Sequence, residues 1–194
     1  MVGTTSPTRG RPRDPQTRQA ILDAALALVA DVGYDRTTVD AIATNAGVSK
    51  PTLYRRWPHG KPELVADAIR GRHAETSRIP DTGTLRGDLL ALVAIQTGQL
   101  LEDVHLACGL LSAMRSSPEL AHVMQEHVIA EERARFGEVL ARARVEQVSP
   151  LIADVAGALI FTRVTITGEP VDRAFAEELV DNVLLPTLNT EHRK

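Results

Sequence analysis

Six aromatic side chains in 194 residues leave few rings on which a flat ligand could stack, and only Phe136, Phe161 and Phe175 follow Trp57. A single cysteine, Cys108, excludes a disulfide within the chain and fits a reducing cytoplasm. No apolar leader opens the chain, which argues against secretion. The longest strictly uncharged run, Leu89 to Leu101, contains Gln96, Thr97, Gly98 and Gln99; it is too short and too polar to cross a bilayer, and no membrane partner is expected. Also missing are a GxSxG elbow, a Gly-rich phosphate loop and a carboxylate cluster on an apolar background. The expectation is therefore a protein that is no enzyme, with no catalytic residue and no cofactor. His105 and Cys108 stand three apart on one helix, but no further CxxC or HxxxH element completes a metal site. That pair is expected to be a buried thiol beside a capping histidine.

The overall charge of −3 hides an asymmetry. Residues 1 to 61 carry nine Lys and Arg against five Asp, whereas the remainder carries thirteen basic residues against twenty acidic ones. A basic end on an acidic body implies that the N-terminal part alone faces a polyanion. Within it, "RGRP" followed by Arg13 places Arg9, Arg11 and Arg13 on a slim Gly- and Pro-bearing arm, residues 1–13. Such an arm suits either insertion into a narrow A·T-rich minor groove or non-specific attraction to phosphates.

Periodicity predicts helices almost throughout. Asp14-Pro15 opens a first helix carrying Ile21, Leu22, Ala25, Leu28 and Val29, which Gly33 closes. Thr37 or Thr38 caps a second that ends near Ala46-Gly47, and Ser49-Lys50-Pro51 opens a short third that Pro58 stops. Six more are expected: Pro62 to about Ser77, Leu85 to Asp103, His105 to Arg115, Pro118 to Gln147, Pro150 to Ile166 and Val171 to Leu188. No sustained strand alternation occurs, so the fold class is all-α, with a helix-turn-helix in residues 14–60 and a helical body in 61–194.

The third helix is exposed, basic and barely two turns long, which suits the major groove of B-DNA. Lys50 offers donors to guanine, Arg55 to guanine or phosphate, and Thr52 offers a hydrogen bond or a contact to a thymine methyl. Thr38, Ser49 and Arg56 suit phosphate oxygens, which fix register without reading sequence. Leu53 and Trp57 pin the helix to its neighbours.

The stretch "ILDAALALVADVGYDRTTVDAIATNAGVSKPTLYRRWP", with Lys61 and Leu64 after it, resembles the tetracycline-repressor (TetR) family of bacterial transcription regulators. The resemblance implies that Tyr54 contacts the DNA backbone and a neighbouring base and that Lys61 contacts phosphate. One departure is visible, since "WPHGKPEL" is a residue longer than the family's usual link.

The resemblance also implies that the body binds a small molecule and dimerises, giving a repressor released from a palindromic operator on double-stranded DNA. By position, Leu92, Gln96, Leu100, Cys108, Leu111, Met124, His127 and Phe161 are candidates to line the pocket. Ile152, Val155, Ala156, Leu159, Ile160, Phe175, Leu179 and Val183 are candidates for a four-helix homodimer interface. Two alternatives stay open: a ligand-independent DNA-binding or architectural protein, and a repressor with an inactive sensor that works through protein contacts. An internal cavity separates a ligand sensor from both.

Overall fold

The computed structural model describes residues 15–74, 76–145 and 148–190, with no side-chain description for 189–190, and the arm with Arg9, Arg11 and Arg13 lies outside them. Among the described residues there are nine helices, two of them interrupted by a π turn and a third ending in one, and no strand. α1 is Pro15–Val32, α2 Val39–Asn45, α3 Lys50–Arg56 and α4 Lys61–His73; α5 is Leu85–Glu102 and α6 Val104–Ser116. We label as α7 the run Pro118–Met124, its π turn Gln125–Ile129, and Ala130–Arg142. In the same way α8 is Pro150–Thr162 with the π turn Arg163–Thr167. α9 joins Arg173–Leu179, the π turn Val180–Leu184 and Leu185–Thr190.

Local chemistry sets most of these ends. Thr38 caps α2 by accepting from the Ala41 N–H at 3.1 Å, and Thr84 caps α5 through Gly87 at 3.0 Å. Ser117 caps α7 through Leu120, and Asp172 caps α9 through Phe175. α2 closes on Gly47 at φ 66°, where Gly47 N–H donates to Thr44 O and Val48 N–H to Ala43 O. That is the bonding of a Schellman cap, which needs a left-handed residue and so favours glycine.

The core is in two parts. The first gathers Ile21, Leu22, Ile42, Leu53, Trp57, Leu64 and Val65 with Leu106, Leu110, Leu120 and Met124, uniting α1–α4 with α6 and the start of α7. The second gathers Leu89, Leu92, Val93, Phe136, Val139, Ile160, Leu179 and Leu184 from α5, the second half of α7, α8 and α9. The hydrophobic packing of the helix-turn-helix therefore does not stop at residue 60; it runs on through α4.

Candidate nucleic-acid interface and a cavity in the body

On α3 the apolar and polar residues separate cleanly. Leu53 and Trp57 are 2% and 4% exposed, while Lys50, Pro51, Tyr54 and Arg55 face solvent and Thr52 and Arg56 are half-buried. The exposed side chains thus form a continuous polar strip on a helix anchored from behind. Ser49 stands at the N-cap position, but its hydroxyl pairs with that of Thr52 at 2.9 Å and does not cap the backbone. Lys50 leans back onto α2, its ammonium 2.9 Å from Asp40, and the paired carboxylate raises its pKa. The charge of Lys50 is held beside Asp40 until a stronger anion competes for it.

Lys61, for which the resemblance implies a phosphate contact, is held against the α1–α2 turn. Its ammonium donates to Tyr34 O at 2.8 Å and Thr37 O at 3.0 Å and lies 3.9 Å from the centre of the Tyr34 ring. Two of its three donors are committed to carbonyls of the α1–α2 turn, and burial holds its pKa below the usual lysine value. Burial also pushes the Tyr34 phenol up to about 12, with smaller contributions from Glu119 and Asp35. Lys61 acts here as a clamp between α4 and the turn, at the link that is one residue longer than usual.

Asp67 was not legible in the sequence. Its carboxylate accepts from Arg18 of α1 at 2.7 and 2.8 Å and from the Trp57 indole N–H, just after α3, at 2.9 Å. One α4 side chain thus fixes α1 and the end of α3 together. Its only signal in the sequence is a lone acid within the apolar stretch "LVADAI". At its far end α4 is tied to α6 by His73, whose Nε2 lies 2.9 Å from Asp103, and to α7 by Arg70 and Glu131 at 2.6 Å.

Between the two cores lies a cavity of about 630 Å³, walled by α4, α5, α6, α7 and α8. Ile69 and His73 contribute from α4, and Gln96, Gln99 and Leu100 from α5. Leu106, Leu110, Leu111 and Met114 come from α6, Met124, Val128, Ile129, Glu132 and Arg133 from α7, and Phe161 from α8. Val128 and Ile129 belong to the π turn of α7, whose wider backbone changes the phase of the helix there. Of the expected lining residues, Gln96, Leu100, Leu111, Met124 and Phe161 are in the wall. Leu92, 1% exposed, packs instead into the second core. Cys108 and His127 face solvent, because α6 buries Leu106, Leu110 and Ala113 on its opposite side and α7 buries Leu120 and Met124. His105 is exposed as well, so the buried thiol and capping histidine do not form.

α8 departs from expectation in a second way. Ile152, Ala156 and Ile160 are 5%, 1% and 1% exposed within their own chain, as Phe175 and Leu179 are on α9. These five cannot be surface residues. The outward side carries Leu151, Leu159 and Ile166, 71%, 40% and 73% exposed, beside half-buried Val155; Val183 of α9 is half-buried too. Pro150–Thr167 has a mean hydropathy of 1.4 with 17% of it buried, and by length and composition alone it could cross a membrane. A search for uncharged runs missed it because Asp154 and Arg163 interrupt the segment.

Residues 21–68 match the family described as bacterial regulatory proteins, tetR family. Residues 79–183, more than half of the chain, match the tetracyclin repressor-like C-terminal domain. The chain is 35% identical to an HTH-type transcriptional regulator of Mycobacterium tuberculosis over 97% of its own length and 98% of that protein's. It is 36% identical to the DNA-binding transcriptional repressor TetR of Mycobacteroides abscessus, over 88% and 93%. Among solved structures, a TetR family transcription regulator, SCO0332, superposes with a TM-score of 0.70 at 31% identity, covering 87% of this chain and 97% of that one. The exposed basic helix, its helix-turn-helix setting and these likenesses agree: the chain belongs to the TetR family of DNA-binding transcriptional regulators.

Proposed function

We propose that the protein is a homodimeric repressor that leaves a palindromic operator when a small molecule enters the cavity between its two cores. One observation carries this reading: α4 contributes to the cavity wall and is also bonded to the helix-turn-helix through Lys61 and Asp67. A ligand that moves α4 therefore moves the recognition helix without touching DNA. In this reading the chain divides into an arm (1–13), a reading head (14–60) and a body (61–194), acts by binding alone, and works in the cytoplasm where the chromosome lies. Arg55, Tyr54 and Thr52 meet base edges, Lys50 joins them once released by Asp40, and Thr38, Ser49 and Arg56 meet phosphates. The arm arginines Arg9, Arg11 and Arg13 add salt-sensitive affinity.

The second copy covers α8. A helix with Leu151, Leu159 and Ile166 exposed supports an isologous contact with itself, and two recognition helices then read two half-sites. Sedimentation is expected to show a dimer without DNA, and selection from random oligonucleotides a two-fold symmetric site; a monomer at micromolar concentration overturns this part. The sensor part rests on linkage. A typical coupling of about 1–3 kcal/mol weakens operator binding roughly 5- to 150-fold, and operator must weaken the ligand by the same factor. A ligand whose affinity is identical with and without operator overturns it.

A further inference from the structure

The charged groups facing the cavity are already spent on one another. Arg133 is paired with Asp154 through two bonds of 2.7 Å. The pairing holds the guanidinium pKa above its ordinary value and the carboxyl below its own. Asp103 receives His73 at 2.9 Å and Arg72 at 3.3 Å. Glu132 receives Arg135 at 2.9 Å and the Gln96 amide N–H at 3.3 Å. Every lining cation and carboxylate thus already has a partner within the chain. An ion entering the cavity loses hydration and has to compete for a partner already taken, which is costly.

The shape of the lining narrows the class further. Its polar groups are spread round the rim of the helices, with Gln96 and Gln99 on α5, Glu132 and Arg133 on α7 and Asp154 on α8, whereas most of the rest of the wall is Leu, Met, Val, Ile, Ala and a single aromatic, Phe161. Leucine and methionine side chains adapt to a flexible chain, and one ring gives a flat polycycle no second face to stack against. The Gln96 amide is fixed by Glu132, since only its N–H side can face a carboxylate, and its buried Oε1 has no hydrogen-bond partner.

Resting on the sensor reading above, we propose that the cavity takes neutral, flexible, largely aliphatic molecules and rejects ions and flat polycycles. The test uses the full chain and titration calorimetry with decan-1-ol, decanoate, decyltrimethylammonium and the fused-ring acridine in its uncharged form. The first three share a decyl chain and differ in head-group charge. Decan-1-ol is expected to bind at least about tenfold tighter than each ion, because each ion forfeits hydration on entry, and tighter than acridine, whose flat ring meets a single aromatic side chain. Ala107→Phe, which fills the cavity from α6, is expected to abolish that binding while circular dichroism stays helical; Ala153→Phe, filling it from α8, is the second variant should the first not fold. Tighter binding of decanoate, the ammonium or acridine overturns the ligand class and leaves the sensor reading standing. If none of the four binds the folded wild type, or if both filled variants still bind decan-1-ol as the wild type does, the cavity is no ligand site and both fall.

Discussion

The two cores of this molecule are held together by different means, and α4 shows why that matters. On the DNA side the helices are locked by bonds that reach across elements: Lys61 to two carbonyls, and Asp67 to Arg18 and Trp57. On the body side one tie between helices is buried at its acid, Asp88 with Arg142, but Arg86 with Asp181 and Arg133 with Asp154 lie nearer the surface, each side chain more than a third exposed. Exposed pairs of this kind typically contribute less than about 1 kcal/mol. The DNA side should move as a unit, and the body should be the part that yields. In the proposed mechanism α4, which shares the first core, carries the recognition helix with it.

The largest expected effect comes from the surface proposed to join two copies. Leu159→Arg places a charge on the exposed side of α8, 40% exposed in the isolated chain, so the fold should survive while the dimer does not. Sedimentation should report a helical monomer, and operator affinity should fall by orders of magnitude as one half-site is lost. A variant that stays dimeric would move the interface away from α8.

Next in size is the lock itself. Asp67→Ala leaves the indole N–H of Trp57 without an acceptor in a 4%-exposed site, a loss of about 1–3 kcal/mol. Trp57 is the only tryptophan, so its fluorescence reads the change directly. DNA affinity should fall, and so should the fraction of DNA released at saturating ligand, because α3 no longer follows α4. Asp67→Asn, which can still accept from the indole, should restore much of the fluorescence. If both variants keep full DNA binding and full ligand response, α4 and α3 are not joined here.

Arg55→Ala tests a residue on which no such lock depends. It should leave stability unchanged within about 0.5 kcal/mol, as exposed substitutions do. Base discrimination at one operator position should drop by about 1–3 kcal/mol, read from selected sequences or competition binding. A uniform loss across all sequences would assign Arg55 to phosphate instead.

Much of this architecture was legible because helix ends carry local chemistry. Thr38 announced a cap that the structure keeps, Pro118 and Pro150 announced helix starts where the structure has them, and the glycine after α2 announced a turn. The reading head was legible for the same reason, since its residues lie within a few turns of one another. What stayed hidden depends on neighbours distant in sequence. Along α8 the residues are apolar on every side, so periodicity could not say that Ile152, Ala156 and Ile160 point inward while Leu159 points out. Lys61 and Asp67 meet partners 24 to 49 positions away, apart from the Trp57 contact, and no spacing rule reports those. Cys108 faced solvent because its helix had a better stripe to bury.

The smallest effect separates the two cores by acid. Asp88, 3% exposed, sits at the base of α5 and accepts from the Thr82 N–H at 2.8 Å and the Thr82 hydroxyl at 2.7 Å, with Arg142 at 3.2 Å. The backbone N–H bond is the largest cause holding its pKa below the usual carboxylate value; the Thr82 hydroxyl and Arg142 lower it further, and burial opposes them. A carboxyl depressed in the folded state stabilises it fully above the unfolded value, near 3.9, and that contribution disappears as pH falls through the folded pKa. Asp88→Asn keeps an acceptor but loses the charge, so at neutral pH it should destabilise the chain by about 1–2 kcal/mol. Below the ordinary carboxylate range the two proteins should converge. Asp88 belongs to the body, whereas the single tryptophan belongs to the DNA side. In denaturant at neutral pH, the helical circular dichroism of the variant should therefore begin to fall before its Trp57 fluorescence changes. If the two signals move together, the cores unfold as one, and the rigid head and yielding body are a single cooperative unit.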